Sequence, residues 1–160
     1  MLSICLNFCK EFGLVCLTWL KQSAISGQLT AFSNQVNIIL TRDFKSLLVW
    51  QKSHELTLSV YELTSDFPRS EIYGLTSQIR RSSSSIPTNI AEGCGRTSQS
   101  QMAHFLNISL GSASELRYQI ILARDLNYIS NKMCKELSVS VDEVMKMLTS
   151  LHQQVQRTNS

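Results

Sequence analysis

Residues 71–96 read EIYGLTSQIRRSSSSIPTNIAEGCGR, and the fold follows from how this stretch is parsed. At helical period, Ile72, Leu75, Ile79, Ile86 and Ile90 share one apolar stripe. Gln78, Arg81, Ser85, Asn89, Glu92 and Arg96 recur at steps of three or four on the stripe beside it. One helix therefore carries both a core face and a polar seam. Ser82 to Ser85 put four small side chains at its middle, where a second helix can come close. Pro87 lacks a backbone N–H and is expected to kink or restart the helix. Ser70 is expected to cap its start, with Glu71 favourable at the positive end of the dipole, and Gly93 and Gly95 to end it.

Upstream, residues 47–67 read LLVWQKSHELTLSVYELTSDF. Val49, Leu56, Val60, Leu63 and Phe67 repeat at three, four and seven, with Trp50, Thr57 and Tyr61 alongside, so a core-facing helix is predicted that Pro68 stops. Downstream, Ser98 and Gln101 form an S-x-x-Q capping box that opens a third helix. Its core stripe runs through Met102, Phe105, Ser109, Ala113, Leu116, Ile120 and Ala123, and Gly111 to Ser114 supply small residues to match the serine run. Close contact between these two helices at their middles follows. After a short connection at Tyr128 to Asn131, Met133, Leu137, Val141, Val144, Leu148, Leu151 and Val155 mark a fourth helix. Short joins between amphipathic helices predict an all-α, antiparallel up-down-up-down four-helix bundle over residues 41–155, with residues 156–160 a frayed tail.

Composition agrees. Only six glycines and two prolines in 160 residues argue against a turn-rich β sandwich, and 43% hydrophobic with 17% charged residues suits one globular domain. A net charge of +3 is too small to demand a nucleic-acid partner by itself, so a local patch would have to carry any such binding. Cysteines 5, 9, 16, 94 and 134 are odd in number and contain no CxxC pair, which points to reduced thiols and a cytoplasmic setting. Residues 1–40 differ in character. Their longest uncharged apolar run, Phe12 to Leu20, is far below the ~20 residues that span a bilayer, so no membrane partner is expected. Lys10 and Glu11 interrupt a secretory pattern. This segment is read as a poorly packed N-terminal extension, either an amphipathic helix using Ile4, Phe8, Phe12, Val15 and Trp19 or the product of a start placed too far upstream.

Catalytic chemistry finds no support in the residues. His54, His104 and His152 stand apart with no HExxH pair, no serine sits in GxSxG, and Gly93 and Gly95 lack the strand and GK[ST] ending of a phosphate loop. Cys94 beside Arg96 has a neighbour able to lower a thiol pKa but no positioned base. No catalytic residue, metal, cofactor or small-molecule substrate is therefore expected.

The segments LLVWQKSHEL, VYELTSDFP, EIYGLTSQIRRSSSSIPTNIAEGCGR and FLNISLGSASELRYQIILARDLNYI, in this order, resemble the four-helix-bundle proteins encoded in intervening sequences of bacterial 23S rRNA genes. The resemblance spans roughly residues 43–150, and IPTNIAEGCGR is its most specific piece. It implies a left-handed bundle that assembles as a homo-oligomeric ring, commonly a pentamer. The accessory proteins of diversity-generating retroelements, which bind nucleic acid through basic surface, are similar at greater distance, but this chain lacks their dense Lys/Arg loading. Family members start close to Asp43, so residues 1–40 depart from the pattern.

Two readings of the polar seam remain. In the first, Gln78, Arg81, Asn89, Glu92, Arg96 and Glu115 form a structural network at a helix or subunit boundary, fixing register at little net gain in stability. In the second, Arg80, Arg81, Arg96 and Arg117 contact nucleic-acid phosphates. The function expected is a non-enzymatic, homo-oligomeric interaction protein with structured RNA as its candidate partner. The alternative is a protein–protein scaffold that never touches nucleic acid.

Overall fold

The computed structural model describes residues 43–157; the extension expected over residues 1–40 and the last three residues of the tail lie outside the described residues. Four helices build the fold: α1 Leu48–Leu63, α2 Leu75–Cys94, α3 Gln99–Asp125 and α4 Asn131–Arg157. No strand occurs among the described residues. The helices pack as a four-helix bundle around one core. Val60, Ile79, Ile86, Ile90, Leu106, Leu116, Ile120, Val141, Val144, Leu148 and Val155 are its largest fully buried apolar side chains. Each such side chain stabilises the fold by about 1.5–3 kcal/mol through removal from water.

The connection into α2 departs from the sequence reading. After α1 the chain passes through two short 3-10 turns, Thr64–Asp66 and Arg69–Glu71, and α2 begins only at Leu75. Ser70 therefore lies inside a 3-10 turn, and Ile72 precedes the helix and is half exposed rather than core. The backbone at Gly74, with φ −97° and ψ −123°, breaks the helical path there. Glu71 supplies the cap instead. Its Oε2 accepts the N–H of Leu75 at 2.9 Å, and its Oε1 accepts the hydroxyl of Tyr128 at 3.3 Å. Desolvation first, and the Glu71 carboxylate second, push the Tyr128 phenol pKa up, which keeps it a donor.

Pro87 neither kinks nor restarts α2, contrary to expectation: the helix runs unbroken from Leu75 to Cys94. Proline has no N–H, so the carbonyl of Ser83, four residues earlier, loses its helical partner in the fully buried interior. The hydroxyl of Thr57 on α1 replaces it, donating to Ser83 O at 2.9 Å while sharing its hydrogen with Ser53 O at 2.8 Å. Gly93 is also within the helix, and Gly95 caps it. A Cβ on Gly93 would stand 3.2 Å from Cβ of Phe105, so glycine permits the close approach of α3.

The α2–α3 contact is the most extensive in the bundle. Ser82 meets Gln119, Ser85 meets Ser112, Ile86 meets Ser109 and Gly93 meets Phe105, an order that requires the two helices to run in opposite directions. Thr57 to Ser83 and Thr64 to Arg80 give the same sense for α1 and α2. Ser112 and Ala113 face this contact as read from the sequence, whereas Gly111 and Ser114 face outward. Ser98 does occupy the N-cap of α3, but its hydroxyl makes no capping bond, so the reciprocal box with Gln101 is not formed. Met102 and Phe105 are only half-buried, and Ala103 and Leu106 take the core positions in that turn.

At its far end α3 closes in a Schellman arrangement. Tyr128 N–H reaches Ala123 O at 2.9 Å, Asn127 N–H reaches Arg124 O at 2.8 Å, and Asn127 sits in the left-handed region at φ 59°. Ser130 Oγ then accepts the N–H of Met133 at 3.2 Å to start α4. Met133 points outward and Cys134 holds the core position in its place. The helix continues through Arg157, so Gln156 and Arg157 are helical rather than frayed.

Thr57→Val should destabilise the protein by about 1–3 kcal/mol in urea unfolding, because it strands the buried Ser83 carbonyl. In a Pro87→Ala background, where the restored N–H serves that carbonyl, the same substitution should cost less than about half as much; equal costs in both backgrounds would refute the pairing.

Candidate functional site

The polar seam of α2 divides into three clusters. Deepest is a chain of bonds that begins in the core: Ser82 Oγ donates to Gln119 Oε1 at 2.6 Å, and Gln119 Nε2 donates to Glu115 Oε1 at 3.0 Å. Arg81 then faces Glu115 at 3.7 Å on the surface. The second cluster joins the Ser85 and Ser112 hydroxyls at 2.8 Å, with Asn89 Nδ2 donating back to Ser85 O and Oγ at 2.8 and 2.9 Å. The third is the Arg96–Glu92 ion pair, with the Arg96 guanidinium 4.8 Å over the Phe105 ring. Gln78 is exposed and makes no side-chain hydrogen bond among the described residues.

These clusters differ in weight. Exposed ion pairs such as Arg81–Glu115 contribute about 0–1 kcal/mol. Stranding one partner of the buried Ser82–Gln119 bond costs about 1–3 kcal/mol. Gln119, only 3% exposed, was not singled out in the sequence. Its signal was a long amide placed directly before Ile120 and three residues after Leu116, inside the apolar arc of α3.

The four arginines named as phosphate contacts do not form one patch. Arg80 and Arg81 line a common cleft of about 750 Å³ between the end of α1 and the start of α2, together with Tyr61, Arg69, Thr76 and Ser77. Arg96 lies beyond the opposite end of α2, a helix whose 20 residues rise roughly 30 Å at about 1.5 Å per residue. Arg117 faces α4, pairing with Asp142 at 3.4 Å in a separate shallow groove beside Lys146.

Within the cleft, Arg80 is anchored by neutral oxygens. Its Nε donates to Thr64 Oγ1 at 2.7 Å, Nη2 points to Tyr61 O at 3.5 Å, and the guanidinium lies 5.0 Å over the Tyr61 ring. Arg69 forms no ion pair among the described residues. The nearby acids of α1 and its 3-10 extension, Glu62 and Asp66, line a different groove against α4, with Glu136. No carboxylate lines the cleft. Arg69, Thr76 and Ser77 were not singled out in the sequence, because the bent connector through Pro68 and Gly74 brings together residues that no single helical period relates.

The family description "23S rRNA-intervening sequence protein" matches residues 45–150. The chain belongs to this family. A similar solved structure is the crystal structure of a protein of unknown function from the S23 ribosomal protein family of Bacteroides thetaiotaomicron. It is 27% identical, covers 66% of this chain and 96% of its own, and has a TM-score of 0.62. No curated protein matches the chain.

In this 23S rRNA-intervening sequence protein the histidines stay apart from the cleft. His54 stacks on Trp50 with ring centroids 5.2 Å apart, and His104 meets Phe105 edge-on. No group of His, Cys, Asp and Glu among the described residues could hold a metal ion, and no described helix is long and apolar enough to cross a membrane. Cys94 is buried, and its thiol pKa is raised rather than lowered: desolvation, with a smaller contribution from Asp43, pushes it up. Iodoacetamide labelling at pH 8 with peptide mapping should therefore modify Cys94 at least about tenfold more slowly in the native protein than in denaturant, the thiolate being the reactive form. Equal rates would contradict the burial.

Proposed function

We propose that this protein is a non-enzymatic interaction module of the cytoplasm that self-associates into a homo-oligomer, with a pentameric ring as the expected form, and holds structured RNA. The observation that carries self-association is the outward face of α3. Ile108, Tyr118 and Ile121 are exposed there, Tyr118 by 61%, and Gly111 lies between them with nothing within 4 Å of where its Cβ would be. An apolar strip with a bare backbone at its centre suits close packing against another copy. The RNA half of the reading is supported by Arg69 and Arg80 of the α1–α2 cleft, which form no ion pair among the described residues, and by the family's link to 23S rRNA genes. A protein scaffold without RNA is the second reading, favoured by the mixed charge around Arg81, Arg96 and Arg117.

Light scattering on the full chain after size exclusion should give a mass near five times 18.1 kDa. Tyr118→Glu should shift it toward the monomer while leaving helical circular dichroism intact. A monodisperse wild-type monomer removes the assembly.

Filter binding to 23S rRNA fragments should weaken steeply between about 50 and 200 mM salt, because phosphate contacts release counterions. Oligomers that retain no RNA at either salt would leave the scaffold reading.

A further inference from the structure

We infer that the cleft between the end of α1 and the start of α2 is a phosphate-binding site, taking a phosphate group of an RNA backbone or of a free phosphorylated small molecule. The RNA source rests on the function proposed above; the site itself does not. Several independent features converge there. Arg69 and Arg80 present charge with no carboxylate in the lining, and Arg80 is already held in place by Thr64 and Tyr61, so little side-chain freedom is lost on binding. The Glu71 carboxylate is engaged by Leu75 N–H and Tyr128 O–H, and Glu115 pairs with Arg81 at 3.7 Å; neither acid lines the cleft.

The start of α2 adds donors. Leu75 N–H is taken by Glu71, but the N–H groups of Thr76 and Ser77 have no acceptor among the described residues and lie at the positive end of a 20-residue helix. The Thr76 side chain points to a ligand most directly. It is only 6% exposed, lines the cleft, and carries the one buried side-chain oxygen among the described residues that has no hydrogen-bond partner. A buried hydroxyl without a partner is destabilising and needs a reason. In a helix threonine divides between two χ1 rotamers, so a rotation brings this hydroxyl to a phosphate oxygen in the cleft. Tyr61 and Ile72, both about half exposed on the rim, offer apolar surface for a base or ribose attached to that phosphate.

The test uses the full chain and three proteins: wild type, Arg69→Ala and Thr76→Val. Inorganic phosphate, compared with chloride at matched ionic strength, should raise the wild-type Tm. Thr76→Val removes the stranded hydroxyl, so its Tm in chloride should exceed wild type, yet the rise with phosphate should be reduced. Arg69→Ala should lose most of the rise. A wild type that does not respond to phosphate, or two variants that respond as fully as wild type, overturns the site.

In the RNA arm, Arg69→Ala should lower affinity for an oligoribonucleotide by about tenfold, the magnitude of one charge-assisted bond. It should also reduce the slope of log affinity against log salt by about 0.7. RNA retained with unchanged slope, beside an intact phosphate response, assigns the site to free phosphorylated molecules. No RNA retention by wild type, beside that same response, removes the RNA reading and leaves the site standing.

Discussion

The close approach of α2 to α3 is the constraint on which the rest of the bundle depends. Two helices come this near only where side chains are small, and Ser82, Ser85, Gly93, Ser109, Ser112 and Ala113 supply that smallness along the shared line. Serine brings a cost that alanine would not, since every hydroxyl placed there must find an acceptor. The helices meet it by bonding one another: Ser82 to Gln119, Ser85 to Ser112, Ser109 to the Ile86 carbonyl. A slip of one helix along the other would break all of these together. Polar contacts thus fix the register, while Ile79, Ile86, Ile90, Leu116 and Ile120 supply the bulk of the driving force.

Pro87 belongs to the same economy of backbone groups. A proline inside a buried helix leaves one carbonyl without its donor, and α1 answers with Thr57. The outcome is a third helix tied to α2 by a directional bond where apolar contact alone would allow sliding. The segment around IPTNIAEGCGR can therefore be read physically. Ile86 and Ile90 fill the core, the proline creates an acceptor for α1, Asn89 secures Ser85, Gly93 admits α3, and Arg96 folds over Phe105 near the turn between the helices.

Much of this was legible in the sequence because period alone determines which residues face inward. The stripes through Val60, Ile79, Ile90, Leu116 and Val144 are buried as their spacing requires. Misreadings cluster where period stops applying. Ile72 looked like a helix residue because it stands three before Leu75, but Gly74 breaks the backbone between them. Met133 fitted the heptad, yet the first turn of α4 buries Cys134 instead. Ser98 and Gln101 had the right spacing for a capping box, but spacing does not orient a side chain at an exposed helix start. The arginines show the same division. Arg80 and Arg81 were visible as basic residues, but their union with Arg69 and Thr76 depends on the path of a connector that no repeat encodes.

Glu71 gives the connector a further property. Its two oxygens hold a helix start and a tyrosine 57 residues away in the chain, at the turn that joins α3 to α4. Two loops that sequence places far apart are thereby yoked through one side chain, and a movement that frees the first pulls on the second. The rim beside the arginine cleft is consequently braced from behind, by a residue that takes no part in the cleft's own lining.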